Sequence, residues 1–163
     1  MEDYGYFLER YGDEVMRLVG RLVRRQEDAE ELVQDAFIRA LDRLDTFDRR
    51  SSFGTWLCRI AYNLTISFLR KRRLQYISID DDPSLTEAEV SQTMNDDTLV
   101  EALRSAIEQL RPEEQALVNF YYYDNRPTAE IAYILKLEPG AVAARLFRIR
   151  RKLHILVKHG NKA

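Results

Sequence analysis

Arg59, Asn63, Ser67 and Arg70 recur at three- and four-residue spacing. These are the types that read nucleic acid: an arginine fork meets phosphate or guanine, an asparagine amide meets adenine, and a serine hydroxyl meets either. On a helix the spacing gathers them into one stripe. Between Arg49 and Gln75 the chain carries seven basic residues (Arg49, Arg50, Arg59, Arg70, Lys71, Arg72 and Arg73) and no acidic one. The whole chain has a net charge of −2, so charge has been sorted along it. A basic block within a mildly acidic chain suggests a surface for a polyanion, most often nucleic acid. Phe47, Phe53, Trp56 and Tyr62 add rings able to stack on unpaired bases. Taken alone, Phe53 and Trp56 read better as core. The arginines alone read as a solvated face, but the lack of any carboxylate across the block makes that the weaker reading.

The element that must position the stripe is a helix. Phe53, Trp56, Leu57, Ile60, Ala61, Leu64 and Phe68 share an apolar face about a quarter turn from it. Ser51 and Ser52 are suited to cap its start. The run SFGTWLCRIAYNLTISFLRKRR resembles the promoter-melting, minus-ten-reading segment of bacterial extracytoplasmic-function (ECF) sigma factors. That family's pattern is roughly S-F-x-T-W-L-x-R-I-A-x-N followed by a basic end, and Ser52, Phe53, Thr55, Trp56, Leu57, Arg59, Ile60, Ala61 and Asn63 match it. The resemblance implies that Asn63 and the segment 47–54 capture a flipped minus-ten base. It nominates Phe47, Ser51, Ser52, Phe53, Arg59, Asn63, Ser67 and Arg70 as the melting site.

Upstream, residues from about Tyr4 to Arg25 read as one or two amphipathic helices. Asp28 with Glu31 suits a capping box. The next helix has an apolar side of Ala29, Leu32, Val33, Ala36, Phe37, Ala40, Leu41 and Leu44. Its other side carries Glu30, Glu31, Gln34, Asp35, Ile38, Arg39 and Asp42. By itself that side is a solvated face. AEELVQDAFIRAL is similar, however, to the sigma segment that docks on the clamp coiled coil of core RNA polymerase, which implies contacts from Glu31, Gln34, Asp35 and Ile38.

After Arg73 the composition inverts. From Tyr76 to Glu101 there are eight acidic residues and no basic one, with Pro83 and Ser84 interrupting. This reads as a linker, extended or partly disordered. Asp80, Asp81 and Asp82 invite a metal site, but no glycine turn and closing glutamate stand at calcium-loop spacing. In the sigma family the equivalent linker threads toward the polymerase cleft.

A second helical unit begins near Thr98 with Leu99, Ala102, Leu103, Ala106, Ile107 and Leu110. Pro112 breaks it and fits the first turn of the next helix. The Tyr121, Tyr122, Tyr123 cluster reads as core plus helix end. From Asn125 the pattern is helix, short turn over Lys136, Leu137 and Glu138, then a helix from Pro139. Val142, Leu146, Ile149, Leu153 and Leu156 form a buried seam on that last helix. From Lys136 to Lys158 seven basic residues face Glu138 alone. A basic second helix after a short turn marks a major-groove reader.

This unit resembles the sigma pattern A-E-I-A-x-x-L-x-x-x-x-G-x-V-x-x-R-L-x-R-x-R-x-x-L at Ala129, Glu130, Ile131, Ala132, Leu135, Gly140, Val142, Arg145, Leu146, Arg148, Arg150 and Leu153. It departs from the family at Ala141, Ala143 and Ala144, which pack on a thymine methyl but donate nothing to a base. Pro127 replaces the usual serine cap, and Lys136 stands where glycine is common. The resemblance implies minus-thirty-five contacts from Ala143, Ala144, Arg145, Phe147, Arg148 and Arg151.

With 163 residues, 45% hydrophobic and 32% charged, the chain has room for one domain or two small helical ones. No apolar run approaches the roughly 20 residues of a membrane span. The acidic amphipathic start is not a signal peptide. The single cysteine, Cys58, excludes an internal disulfide and gives no metal framework; on the side away from the apolar face, it reads better as a spectator than as a reactive thiol. These features suit the cytoplasm. The expected fold is all-α: residues 1–75, an acidic flexible linker over 76–98, and a four-helix-type domain with a helix-turn-helix over 99–163. With the resemblance, the expected protein is an alternative sigma factor without catalytic residues, metal, cofactor or small-molecule substrate. Its partners would be core RNA polymerase, promoter DNA and an anti-sigma factor, membrane-anchored or zinc-binding. Two rivals stand beside it. A helix-turn-helix regulator acting without polymerase leaves TWLCRIAYN unexplained. A nuclease working through Asp80, Asp81 and Asp82 lacks converging ligands, since His154 and His159 both lie near the end.

Overall fold

The computed structural model describes residues 2–79 and 96–160. The described residues are helical: α1 (Glu2–Leu22), α2 (Gln26–Asp42), α3 (Phe53–Ile79), α4 (Asp96–Glu108), α5 (Pro112–Val118), α6 (Thr128–Leu135) and α7 (Pro139–Gly160). Asp80, Asp81 and Asp82 lie outside the described residues, as does most of the stretch read as linker. Among the described residues no helix is long and apolar enough to cross a membrane, and no group of three metal-ligating side chains comes together.

The first unit is a three-helix packing of α1, α2 and α3. Its core joins Val15, Leu18 and Val19 of α1, Leu32, Val33, Ala36 and Phe37 of α2, and Trp56, Leu57 and Ala61 of α3, all buried. Removing these apolar faces from water drives the packing. Gly54 permits the close approach of α3 to α1, since a Cβ there would stand 3.2 Å from the Tyr11 ring. Ser52 caps α3: its hydroxyl accepts from the Thr55 backbone N–H at 3.2 Å, satisfying one of the donors a helix start leaves free. The Ser51 hydroxyl instead donates to the Ser52 carbonyl at 3.0 Å. The expected capping box at Asp28 does not form. The helix begins earlier, with Arg25 at the cap, and Asp28 accepts from Arg72 of α3 at 2.7 Å.

In the second unit Pro112 opens α5 behind Arg111, whose backbone N–H donates to Glu114 at 3.1 Å. A π-helical turn, Asn119–Tyr123, follows α5. It buries Phe120 but leaves Tyr122 and Tyr123 exposed, at 47% and 61%, so the tyrosine cluster is core only in part. Pro127 stands at the cap of α6 without a side-chain hydrogen bond. Lys136 ends α6 in the left-handed region at φ 57°, a conformation that normally favours glycine. The Leu137 N–H reaches back to the Ala132 carbonyl at 2.8 Å and closes the turn. On α7, Val142, Leu146 and Ile149 are buried and Leu153 partly so, which is the expected seam.

The two units also pack on each other, α6 and α5 against α3 and α5 against α1.

Candidate nucleic-acid interface

Helix α7 presents its outer face freely. Ala143, Ala144, Arg145, Phe147, Arg148 and Arg151 are all exposed, because the buried seam takes the opposite side. Among the described residues no ion pair holds Arg145 or Arg148. Both line a cavity of about 310 Å³ with Arg111, Glu113 and Glu114. Arg151 lies over the Phe147 ring at 6.0 Å. The neighbouring cations are engaged: Arg150 donates to the Tyr122 hydroxyl at 2.6 Å, and Lys152 to Glu114 at 2.9 Å. Burial works to raise the Glu114 carboxyl, but the hydrogen bonds from Lys152 and the Arg111 backbone outweigh it and hold the group below its ordinary range. The geometry separates a free, cation-bearing stripe from a set of basic residues that tie α7 to its own unit.

Helix α3 is differently placed. Phe47 and Phe53 sit in an aromatic cluster: Phe53 stacks on Phe7 at 4.6 Å and packs on Tyr11 at 5.2 Å, and Phe47 meets Trp56 at 5.0 Å. Those rings hold α1 to α3. In the predicted stripe Ser67 is exposed and Asn63 half-buried. Both arginines of the stripe are engaged by the second unit. The Arg59 guanidinium lies 4.6 Å from the centroid of the Tyr133 ring of α6, and Arg70 stands 3.6 Å from Glu113 of α5.

Cys58 lies off the apolar face of its own unit, yet that side is not open to solvent. It is fully buried, and Arg126 from the second unit donates to its sulfur at 3.4 Å. Burial pushes the thiol up to about 12, against the pull of Arg126. Tyr62, also buried, is raised to about 12 by burial and then by Glu113. α3 thus carries two covered faces, one against its own unit and one against the second.

Arg126 is the residue that periodicity could not find. It stands between two helices, yet its side chain is only 9% exposed and pairs with Glu14 of α1 and with Glu130 of α6 at 3.4 Å. The only local signal is a lone arginine before a proline, which says nothing about a partner 112 residues away.

Helix α2 keeps its polar side open. Glu31, Gln34 and Asp35 are exposed, and Ile38, an apolar residue among them, is 51% exposed.

Residues 7–75 match the family described as Sigma-70 region 2, and residues 100–153 that described as Sigma-70, region 4. The chain is 33% identical over 155 residues to the ECF RNA polymerase sigma factor SigW of Bacillus subtilis, covering 88% of this chain and 82% of that one. It is 30% identical over 167 residues to the ECF RNA polymerase sigma factor SigE of Mycolicibacterium smegmatis, of whose length it spans 65%. Among solved structures, the sigma factor RpoE of Bartonella quintana, in complex with the anti-sigma factor NepR, superposes with a TM-score of 0.70 at 22% identity, over 97% of this chain and 98% of that one. At that identity the likeness concerns the fold.

Proposed function

This chain belongs to the ECF RNA polymerase sigma factors, and we propose how its residues divide that family's work. It is an initiation factor rather than an enzyme, and it directs core RNA polymerase to specific promoters. Residues 1–75 form the unit that docks on core polymerase and melts the minus-ten element, 76–98 link, and 99–163 read the minus-thirty-five element. On α2, Glu31, Gln34, Asp35 and Ile38 meet the polymerase. Asn63 and Ser67, with Arg59 and Arg70, meet the melted minus-ten strand, flanked by Ser51, Ser52, Phe47 and Phe53. On α7, Ala143, Ala144, Arg145, Phe147, Arg148 and Arg151 meet the upstream duplex. The protein acts in the cytoplasm and is held in check by an anti-sigma factor, membrane-anchored or zinc-binding.

The observation that carries this reading is the exposed face of α7. Arg145 and Arg148 project from the second helix of a helix-turn-helix with no ion pair among the described residues, as a phosphate-binding stripe requires. Its three alanines leave charge and DNA shape to carry recognition. Run-off transcription with core polymerase on genomic DNA, with start sites mapped, tests it. Initiation from a shared pair of elements is expected, and DNA binding that needs no polymerase and yields no transcript would favour the stand-alone regulator.

A further inference from the structure

We propose that Arg49 and Lys136 are further DNA-backbone contacts, one for each promoter element, each keeping a cation at the entrance of a DNA-reading helix in spite of backbone strain. This deepens the reading above and rests on it. Among the described residues three non-glycine residues take a positive φ: Arg49 at 62°, Asn125 at 51° and Lys136 at 57°. Asparagine tolerates the left-handed region. Arginine and lysine do not favour it, and glycine would adopt it without strain. Arg49 lies in the connection into α3, between Phe47 and Ser51 of the proposed melting site, and Lys136 lies in the turn into α7. The same departure thus stands at the same place in both units. A strained residue that persists points to a use for its side chain.

Neither side chain helps to hold its own turn. Around Arg49 the Asp48 carboxylate accepts from the Arg50 backbone N–H at 3.1 Å and pairs with the Arg50 guanidinium at 3.1 Å. Around Lys136 the Leu137 N–H donates to the Ala132 carbonyl at 2.8 Å. Arg49 and Lys136 are both exposed, and no ion pair holds either among the described residues. Glu138, also exposed, makes no ion pair with Lys136. A helix-turn-helix lays its first helix across the DNA backbone and sets the start of the second in the groove. The turn between them therefore stands beside a strand, where the long lysine stem reaches a phosphate. A base leaves the stack by rotation about its backbone, so the segment that receives it faces the adjoining phosphates, which Arg49 is placed to meet. The rival account is that Lys136 faces the negative end of the α6 dipole. That account predicts a loss of stability when the charge is removed.

Binding by the holoenzyme across a salt series tests both residues. The probes are a duplex carrying a promoter mapped as above and a single-stranded minus-ten oligonucleotide cut from it. Lys136→Gly should lower the salt slope on the duplex by about 0.9, and Arg49→Gly should lower it on the single strand by about 0.7. Each loss should be equal across single-base variants of the probe, as for a phosphate contact. Lys136→Arg and Arg49→Lys should keep the wild-type slopes. Both glycine variants should unfold in urea at a midpoint no lower than wild type, because glycine relieves the left-handed strain. Lys136→Asn and Arg49→Asn drop the charge, tolerate the same conformation and repeat the test with less backbone freedom. Unchanged slopes in the neutral variants would overturn the proposal, whatever their stability. So would a loss confined to one base pair, which would make the residue a base reader. Arg145→Ala separates this from the reading it rests on. If that variant lowers the duplex slope and Lys136→Gly does not, α7 still binds the duplex and only the inference falls. A wild-type holoenzyme that forms no promoter complex would remove the reading and the inference together.

Discussion

Helices α3 and α7 are alike in charge and opposite in exposure. Each lies in a stretch with seven basic residues and almost no acidic ones. α7 buries one seam and leaves the opposite side to solvent. α3 buries one face against α1 and α2 and another against the second unit, with Cys58 and Tyr62 enclosed and Arg59 and Arg70 engaged. The difference teaches that a basic stripe specifies an affinity for anions without specifying its occupant. On α7 the cations Arg145 and Arg148 stand exposed, with no ion pair among the described residues. On α3 an aromatic ring and a carboxylate from the same chain already occupy part of it.

The comparison can be broken or sharpened by measurement, and the largest effect concerns stability. Leu57→Ala on α3 removes a fully buried side chain and should cost about 2–5 kcal/mol. Arg145→Ala on α7 should stay within about 0.5 kcal/mol. Urea unfolding measures both, and equal costs would mean the two helices are not buried as differently as described.

Asn63→Ala comes next. Half-buried but without a hydrogen bond among the described residues, Asn63 is free to receive an extruded base. Open-complex formation by the polymerase-bound protein should fall about tenfold or more, with binding to core polymerase unchanged, and a pre-melted template should restore much of the loss, because the cost lies in unstacking. Absence of rescue would make Asn63 a structural residue of α3.

On α7, Arg145→Ala should weaken binding to upstream-element duplexes about equally on every sequence and reduce the salt slope by about 0.9. If the slope stays and preference at one base pair vanishes, Arg145 reads sequence, and the assignment of charge to α7 and bases to α3 must be redrawn.

The smallest effect is a pH dependence in how α7 is held. Glu114, below its ordinary carboxylate value because Lys152 and the Arg111 backbone hold it, binds its proton less readily folded than unfolded. Its stabilisation is therefore present above the ordinary value of 4.5 and is lost as pH falls through the lower, folded one. Screened by solvent, it amounts to about 0.5 kcal/mol. Lys152→Ala should remove that increment near neutral pH and flatten the acid side of the stability profile, whereas Arg70→Ala on α3, at the long 3.6 Å contact with Glu113, should leave the profile unchanged.

What the sequence determined is what neighbours along the chain determine. Three- and four-residue spacing laid out the seam of α7 and the inner face of α3, Pro112 and Pro139 marked helix starts, and the turn at Lys136 followed from its place between two periodic runs. Motif matches added the family, since TWLCRIAYN and the helix-turn-helix pattern are long enough to be specific. Period alone says which residues share a face, and not what will cover it. Hence Cys58, placed off the apolar face by its spacing, proved buried, the tyrosine cluster read as core plus helix end is exposed at its helix-end members Tyr122 and Tyr123, and Asp28 read as a cap and binds Arg72. Arg126 gave no signal at all, because its meaning comes from Glu14 and Cys58, 112 and 68 residues away. Only the tertiary structure decided those, since the burial of a charge is fixed by what packs around it in space, and local spacing carries no record of that.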